Sequence, residues 1–331
     1  MTTTPAFSAD VLSIDAAAAT DHITGIVRDL VGRTLRRRGV VVGLSGGVDS
    51  SVAAALCVRA LGPERVLGVL MPETDSSPDS TRLGRLVAET LGITSVLEDI
   101  GPILAAAGCY RRRDDAIRSV VPEYDSRYRS KIVLPDLVAT QRYPVFSVVV
   151  QSPDGMKRQA RLTAEAYLGV VAATNFKQRV RTMIEYYHAD RLQFAVVGTP
   201  NRLEYDQGFF VKNGDGAADI KPIAHLYKSQ VYMLGRYLGI PDEIQRRPPT
   251  TDTYSLEQSQ EEFYFALPLA KMDLALYARN HDVAPAAAAS ALDLSAAEVE
   301  RVYRMIDRKR QATRYQHLPP LLVEEVEEVP S

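Results

Sequence analysis

Apolar positions along the chain follow two alternating rhythms. Short continuous runs occupy residues 40–44, 66–70, 95–100 and 194–198, and stretches with helical spacing lie between them. The first helical stretch carries Ile23, Ile26, Val27, Leu30, Val31 and Leu35 after His22. It closes on Arg36, Arg37 and Arg38 before Gly39, where positive charge complements the dipole of a helix C-terminus. Residues 52–61 and 81–91 repeat the helical pattern. Strands that are apolar throughout and alternate with helices predict an α/β fold with a doubly wound parallel sheet, covered on both faces. Residues 1–20, small and polar or Ala-rich, read as a flexible arm.

The rhythm breaks after residue 100. Residues 145–150 and 157–162 flank Ser152-Pro153-Asp154-Gly155, which predicts a β-hairpin: proline presets the first φ of the turn and glycine supplies the positive one. This hairpin belongs to an inserted element at about 111–165. Residues 111–161 hold 11 Lys or Arg against 6 Asp or Glu, a surplus that reads either as a solvated face or as a lid contacting anions. Beyond Leu226 the chain reads as mostly helical. Ser295 and Glu298 form a capping box that opens a helix through Val299, Val302, Met305 and Ile306. Residues 317–331 read as an acidic tail.

Composition narrows the class. The 331 residues are 46% hydrophobic and 24% charged with a formal net charge of -2, which excludes disorder and disfavours the basic face of a nucleic-acid binder. No apolar run is long enough for a membrane span and the N-terminus has no signal-peptide pattern, so a cytoplasmic protein is expected. Two cysteines, Cys57 and Cys109, are too few for a disulfide framework or a zinc site.

The chemistry concentrates in SGGVDSS at 45–51, between a predicted strand and a predicted helix. There backbone N–H groups and hydroxyls converge at a helix N-terminus, where phosphate oxygens fit. Gly46 and Gly47 permit close backbone approach, Ser45, Ser50 and Ser51 offer hydroxyls, and Asp49 can hold a magnesium ion that bridges phosphates. No GK[ST] follows the glycines, which argues against a Walker-type NTPase. The five histidines suggest no rival catalyst, since no Ser or Cys nucleophile is visible beside one by spacing.

The loop resembles that of the N-type ATP pyrophosphatases, which bind the pyrophosphate of ATP and release it after adenylating a substrate. Further strings occur in the order found in ammonia-dependent NAD synthetases: MPETDSSPDS at 71–80, TNFKQRVR at 174–181, GTPNRLE at 198–204, GFFVKNGDGAADIKPI at 208–223, LYKSQV at 226–231 and PPTTD at 248–252. With residues 40–100 they cover about two thirds of the chain. The resemblance implies an adenine-nucleotide α-hydrolase-like domain over 21–316. It places ATP on Ser45, Gly46, Gly47, Val48, Asp49, Ser50, Ser51, Lys177, Arg179, Thr199, Lys228 and Thr250. It also implies magnesium on Asp49 and Glu204, catalytic roles for Asp49, Lys228, Thr250 and Asp215, and an acceptor site at Lys212, Asp215, Asp219, Arg308 and Lys309.

The chain departs from the family pattern at Leu203, Val211, Asn213 and the Arg308-Lys309-Arg310 string, changes that cluster toward the acceptor side. The implied reaction is ATP-dependent amidation of a carboxylate, with deamido-NAD the first choice. A different carboxylic acid is the same-class alternative, and a nucleotide sensor or scaffold the non-catalytic one. Ammonia arrives free or from a separate glutaminase, and a symmetric homodimer is expected by resemblance.

Overall fold

The computed structural model describes residues 7–133, 146–249, 253–256 and 267–328. Its strands are β1 (Val40–Gly43), β2 (Val66–Leu70), β3 (Thr94–Leu97), β4 (Arg129–Val133), β5 (Ser147–Gln151), β6 (Lys157–Arg161) and β7 (Ala195–Val197). One sheet, ordered β3-β2-β1-β7, is parallel throughout, with Val40 opposite both Val66 and Ala195. Every residue of β2 is buried, as its continuous apolar sequence requires.

Alternation along β1 sends its side chains to two cores. Val40 and Val42 join the larger one, formed with α1 (Ala16–Asp29), α2 (Val48–Leu61) and α3 (Pro78–Leu91). Val41 joins Val69, Val196 and Ala189 on the opposite face. Helices thus cover both faces, as the sequence predicts. The third strand stops at Leu97 rather than Ile100, because the Asp99 carboxylate accepts from Gly101 N at 2.9 Å and opens α4 (Gly101–Ala106).

The reading of residues 1–20 as a flexible arm needs correction where the structure describes them. A 3₁₀ turn spans Ala9–Leu12 with Leu12 buried, and α1 begins at Ala16, where the Asp15 carboxylate caps Ala17 N and Ala18 N at 2.9 and 3.0 Å. Alanine shows little apolar contrast but is the strongest helix former, and an aspartate N-cap adds to it.

The segment expected as an insertion holds most of α5 (Cys109–Arg118) and a separate antiparallel sheet, β4-β5-β6. The predicted hairpin is β5–β6, with Gly155 at φ +88°, while Val145 lies outside the described residues. This sheet and α5 pack on the long helix α6 (Ala164–Leu192) around Ile117, Ile132, Val148, Val150 and Val170. The chain continues through α7 (Arg202–Gln207), α8 (Lys228–Tyr237) and α9 (Asp242–Arg246), then α10 (Leu269–Asn280), α11 (Pro285–Leu292) and α12 (Ala296–Thr313). The Ser295–Glu298 capping box opens α12. Residues 318–328 are exposed and form no helix or strand. Both cysteines are buried and free, and burial pushes the Cys57 thiol up to about 12. Among the described residues, no helix is long and apolar enough to cross a membrane.

Candidate active site

A cavity of about 1060 Å³ opens at the carboxyl end of β1. The helix after β1 begins at Val48 with Gly47 as its N-cap, four residues before the expected start, so half of SGGVDSS is the first turn of α2. Serine hydroxyls fix the turn. Ser50 Oγ donates to Gly47 O at 3.1 Å and contacts Ser45 Oγ at the same distance, while Ser51 Oγ donates to Gly47 O at 2.8 Å. Ser45, Gly47, Val48, Asp49 and Ser50 line the cavity. Ser51 is fully buried beneath it. Gly46 has φ +73°, and a Cβ there would lie 2.7 Å from Ser80 O, so this glycine serves close packing on α3.

Opposite the loop, α8 opens with Lys228, whose side chain is nearly enclosed and forms an ion pair with Asp49. Burial works against the ammonium group, but Asp49 and Glu204 outweigh it and raise its pKa. Asn201 ties these groups together. Its Nδ2 donates to Asp49 Oδ1 at 3.2 Å, its Oδ1 caps α7, and its backbone N donates to Glu204 Oε2 at 3.0 Å. Asn201 was not among the expected site residues; the Asn-x-x-Glu spacing at 201–204 was the available signal. Asp49, Glu204, Lys228 and Thr199 all line the cavity. Leu203 is buried in the C-terminal helical core, so that departure from the family pattern lies away from the acceptor wall.

One face of α6 forms the long wall, from Tyr167 to Glu185. That span is about 27 Å at 1.5 Å per residue. Near its end, Glu185 and Asp215 share a side pocket of about 50 Å³ with Thr182 and Thr199. Asp215 remains accessible within the cleft, yet the protein mass around it pushes its carboxyl up to about 6. Burial and then the Asp215 charge push Glu185 up to about 8, against the pull of Arg181. A Cβ at Gly43 would lie 2.4 Å from Glu185 Oε1, so the carboxyl occupies the space that glycine leaves open. Arg308 and Lys309 of α12 line the cavity too, and burial lowers the Lys309 ammonium to about 7. Arg181 and Glu185 were not among the expected site residues, because their approach to β1 and the 209–216 loop is purely tertiary.

Several expected site residues do not line the cavity. Lys177 is fully buried and turned away from it. Arg179 is exposed and donates to Lys212 O at 3.3 Å. Lys212 Nζ donates to Tyr315 O and Leu318 O at 2.8 and 3.0 Å, while Asp219 accepts from Val196 N at 2.8 Å. Asn213 adopts φ +60°, a left-handed conformation that asparagine tolerates. Thr250 lies outside the described residues. None of Arg111, Arg112, Arg113, Lys157 and Arg158 lines the cavity; Arg113 pairs with Asp75 and Asp114, and Arg158 with Glu123.

A four-stranded parallel sheet with a serine- and glycine-rich turn at the end of β1 defines an adenine-nucleotide α-hydrolase fold. The structure of NMN synthetase from Francisella tularensis superposes with TM-score 0.63 at 22% identity, covering 94% of this chain and 99% of that one. The NH3-dependent NAD synthetase of Campylobacter jejuni subsp. jejuni gives TM-score 0.61 at 22% identity, with 94% and 100% covered. In sequence, the NAD synthase family profile matches residues 19–135 and 138–316, and the chain belongs to that family. The NH(3)-dependent NAD(+) synthetase of Rhizobium meliloti (strain 1021) is 60% identical over 98% of this chain and 96% of its own. Its counterpart from Rhizobium rhizogenes is 58% identical over 97% of each.

Proposed function

We propose that the protein is an AMP-forming carbon–nitrogen ligase that converts deamido-NAD to NAD with ATP and ammonia. The carrying observation is the convergence of the 45–51 loop, Asp49, Glu204 and Lys228 on one end of a cavity whose other end holds Arg308, Lys309, Glu185 and Asp215. The long α6 wall suits two substrates meeting in one cleft. A carboxylate oxygen of the acceptor attacks the α-phosphorus of ATP and pyrophosphate departs. Ammonia nitrogen then attacks the acyl carbon, AMP leaves, and one proton is lost from nitrogen.

The residues divide that work. N–H groups in the first turn of α2 and the Ser45 and Ser50 hydroxyls face the departing pyrophosphate, and Lys228 neutralises its growing charge. Arg308, joined by Lys309 when its lowered amine is protonated, favours an anionic acceptor. An ionised Asp215 is suited to accept the proton released from nitrogen. Magnesium fits the donor set of Asp49 and Glu204: two hard carboxylates beside a phosphate site suit an ion that takes one or two protein carboxylates, phosphate oxygens and water. When bound, it supplies further neutralisation of the pyrophosphate. We place the reaction in the cytoplasm, with ammonia free or delivered by a separate glutaminase, in a homodimer.

Purified protein given ATP, magnesium, an ammonium salt and deamido-NAD is expected to form AMP, pyrophosphate and NAD in equal amounts. AMP formation with another acid from a carboxylate panel, and none with deamido-NAD, overturns the substrate assignment.

A further inference from the structure

Resemblance assigns Lys177 to the nucleotide, but its ammonium group is already fully engaged. It donates to Glu73 Oε1 at 2.9 Å, to Asp75 Oδ2 at 2.7 Å and to Thr253 O at 2.7 Å, which uses all three N–H donors of a lysine. The side chain is 1% exposed. Burial alone raises a carboxyl pKa, yet Lys177 and Arg113 hold Asp75 below its ordinary value. From α5, Arg113 pairs with Asp75, and Tyr110 OH donates to Glu73 Oε2 at 2.8 Å.

These partners come from three places in the chain. Glu73 and Asp75 lie in the loop leaving β2, which continues into Ser76 on the cavity wall. Thr253 and Tyr254 line the same cavity, and Tyr254 shares a hydrogen bond with Thr174 of α6. The segment is fixed again on its far side: Ser130 N of β4 donates to Ser255 Oγ at 2.9 Å, and Leu256 N donates to Ser130 O at 3.2 Å. One enclosed ammonium group therefore joins the β2 loop, residues 253–256, α6 and, through Glu73 and Asp75, the insertion. A buried ion network of this kind fixes one arrangement of the chain, because every alternative leaves a charge unpaired.

We propose that Lys177 is a positioning residue, which anchors the β2 loop and residues 253–256 so that the nucleotide side of the cleft keeps its shape, and that the insertion contributes to catalysis through this anchor. The proposal rests on the ligase reading above. Lys177→Met is expected to lower kcat/KM for ATP by about tenfold or more, with KM for deamido-NAD within twofold of wild type, and Lys177→Arg is expected to recover part of the loss. Tyr110→Phe, which removes the hydrogen bond to Glu73 and the one that Tyr110 Oη accepts from Thr74 N of the same loop at 3.4 Å, is expected to act in the same direction by about threefold. Its effect should be non-additive with Lys177→Met, since both act through Glu73.

Reduced stability with unchanged kinetics per folded molecule would mean a purely structural role and overturns the proposal. So does an additive double variant in which Tyr110→Phe leaves ATP unaffected, because a direct nucleotide contact predicts that. If Lys177→Met does not fold, Tyr110→Phe decides alone: weakened ATP supports the anchor and unchanged ATP overturns it. Calorimetric titration of each variant with ATP alone keeps the test separate from the ligase reading, which fails if the wild-type protein forms no AMP.

Discussion

Lys228 and Asp49 meet across the cleft as an ion pair that is mostly enclosed, with side chains 4% and 16% exposed. Asp49 is therefore part of a folded contact in the first turn of α2, where the sequence pattern predicts a turn ahead of the helix. Removing one partner of a buried pair leaves the other charge uncompensated, at about 3–5 kcal/mol, whereas replacing both is often neutral. Asp49→Asn and Lys228→Met are each expected to lower turnover by about 10²-fold or more, the range for loss of a charge-stabilising group, and to lower the melting temperature. The double variant is expected to regain stability without activity. Turnover within twofold of wild type for either single variant at matched magnesium would remove that residue from the site.

Glu185 gives a pH prediction with a definite sign. Its carboxyl is held up at about 8, against an ordinary value of 4.5, first by burial and then by Asp215. Between those values the unfolded chain releases a proton that the folded one retains, so stability falls as pH rises from about 5 to 8. Glu185→Gln removes this dependence. Its melting temperature relative to wild type should be nearly level at pH 5 and rise steadily toward pH 8. Each pKa unit is worth about 1.4 kcal/mol, discounted because the carboxyl is partly open to the cleft. A constant difference across that range would show that Glu185 is ionised in the folded protein.

The parts of the fold that sequence pattern revealed are those where one residue type settles the matter. β1 and β2 are uninterrupted apolar runs, and Gly46 and Gly47 mark the turn between β1 and α2. β4 was not foreseen because Arg129-Ser130-Lys131-Ile132-Val133 has only two apolar residues, of which Ile132 alone is fully buried. α1 was expected six residues late because alanines show little apolar contrast. The candidate site was legible at the 45–51 loop, where the residues are contiguous. The surroundings of Lys177, Lys212 and Glu185 were not, since each is defined by distant partners: Thr253, the backbone at Tyr315 and Leu318, and Gly43.

The expected dimer has a candidate surface on the outer face of α6. Met183 and Tyr187, one turn apart, are 52% and 60% exposed, and Leu168 on the same helix is 62% exposed. Apolar side chains gathered on one long helix are suited to a two-fold interface. Light scattering is expected to give about twice the monomer mass of 36.4 kDa, and Met183→Glu with Tyr187→Glu to reduce it to that mass. A fully active monomer at working concentration argues against the dimer.

The basic insertion supplies the last prediction. If its surplus charge served the acceptor site, neutralising Lys157 and Arg158 would raise the acceptor KM and the effect would fade with salt, because exposed charges are screened within about 8 Å at physiological ionic strength. Neither side chain lines the cavity; Lys157 is exposed on β6, and Arg158 pairs with Glu123. Arg111 pairs with Asp115 at 3.8 Å in a contact largely open to solvent. Exposed pairs of this kind contribute little, so their loss should be barely visible in stability. Lys157→Gln with Arg158→Gln is therefore expected to leave KM for both ATP and deamido-NAD within twofold of wild type at low and high salt. A selective, salt-sensitive rise in the acceptor KM would instead place this face at the acceptor site and require the hairpin to move toward the cleft during turnover.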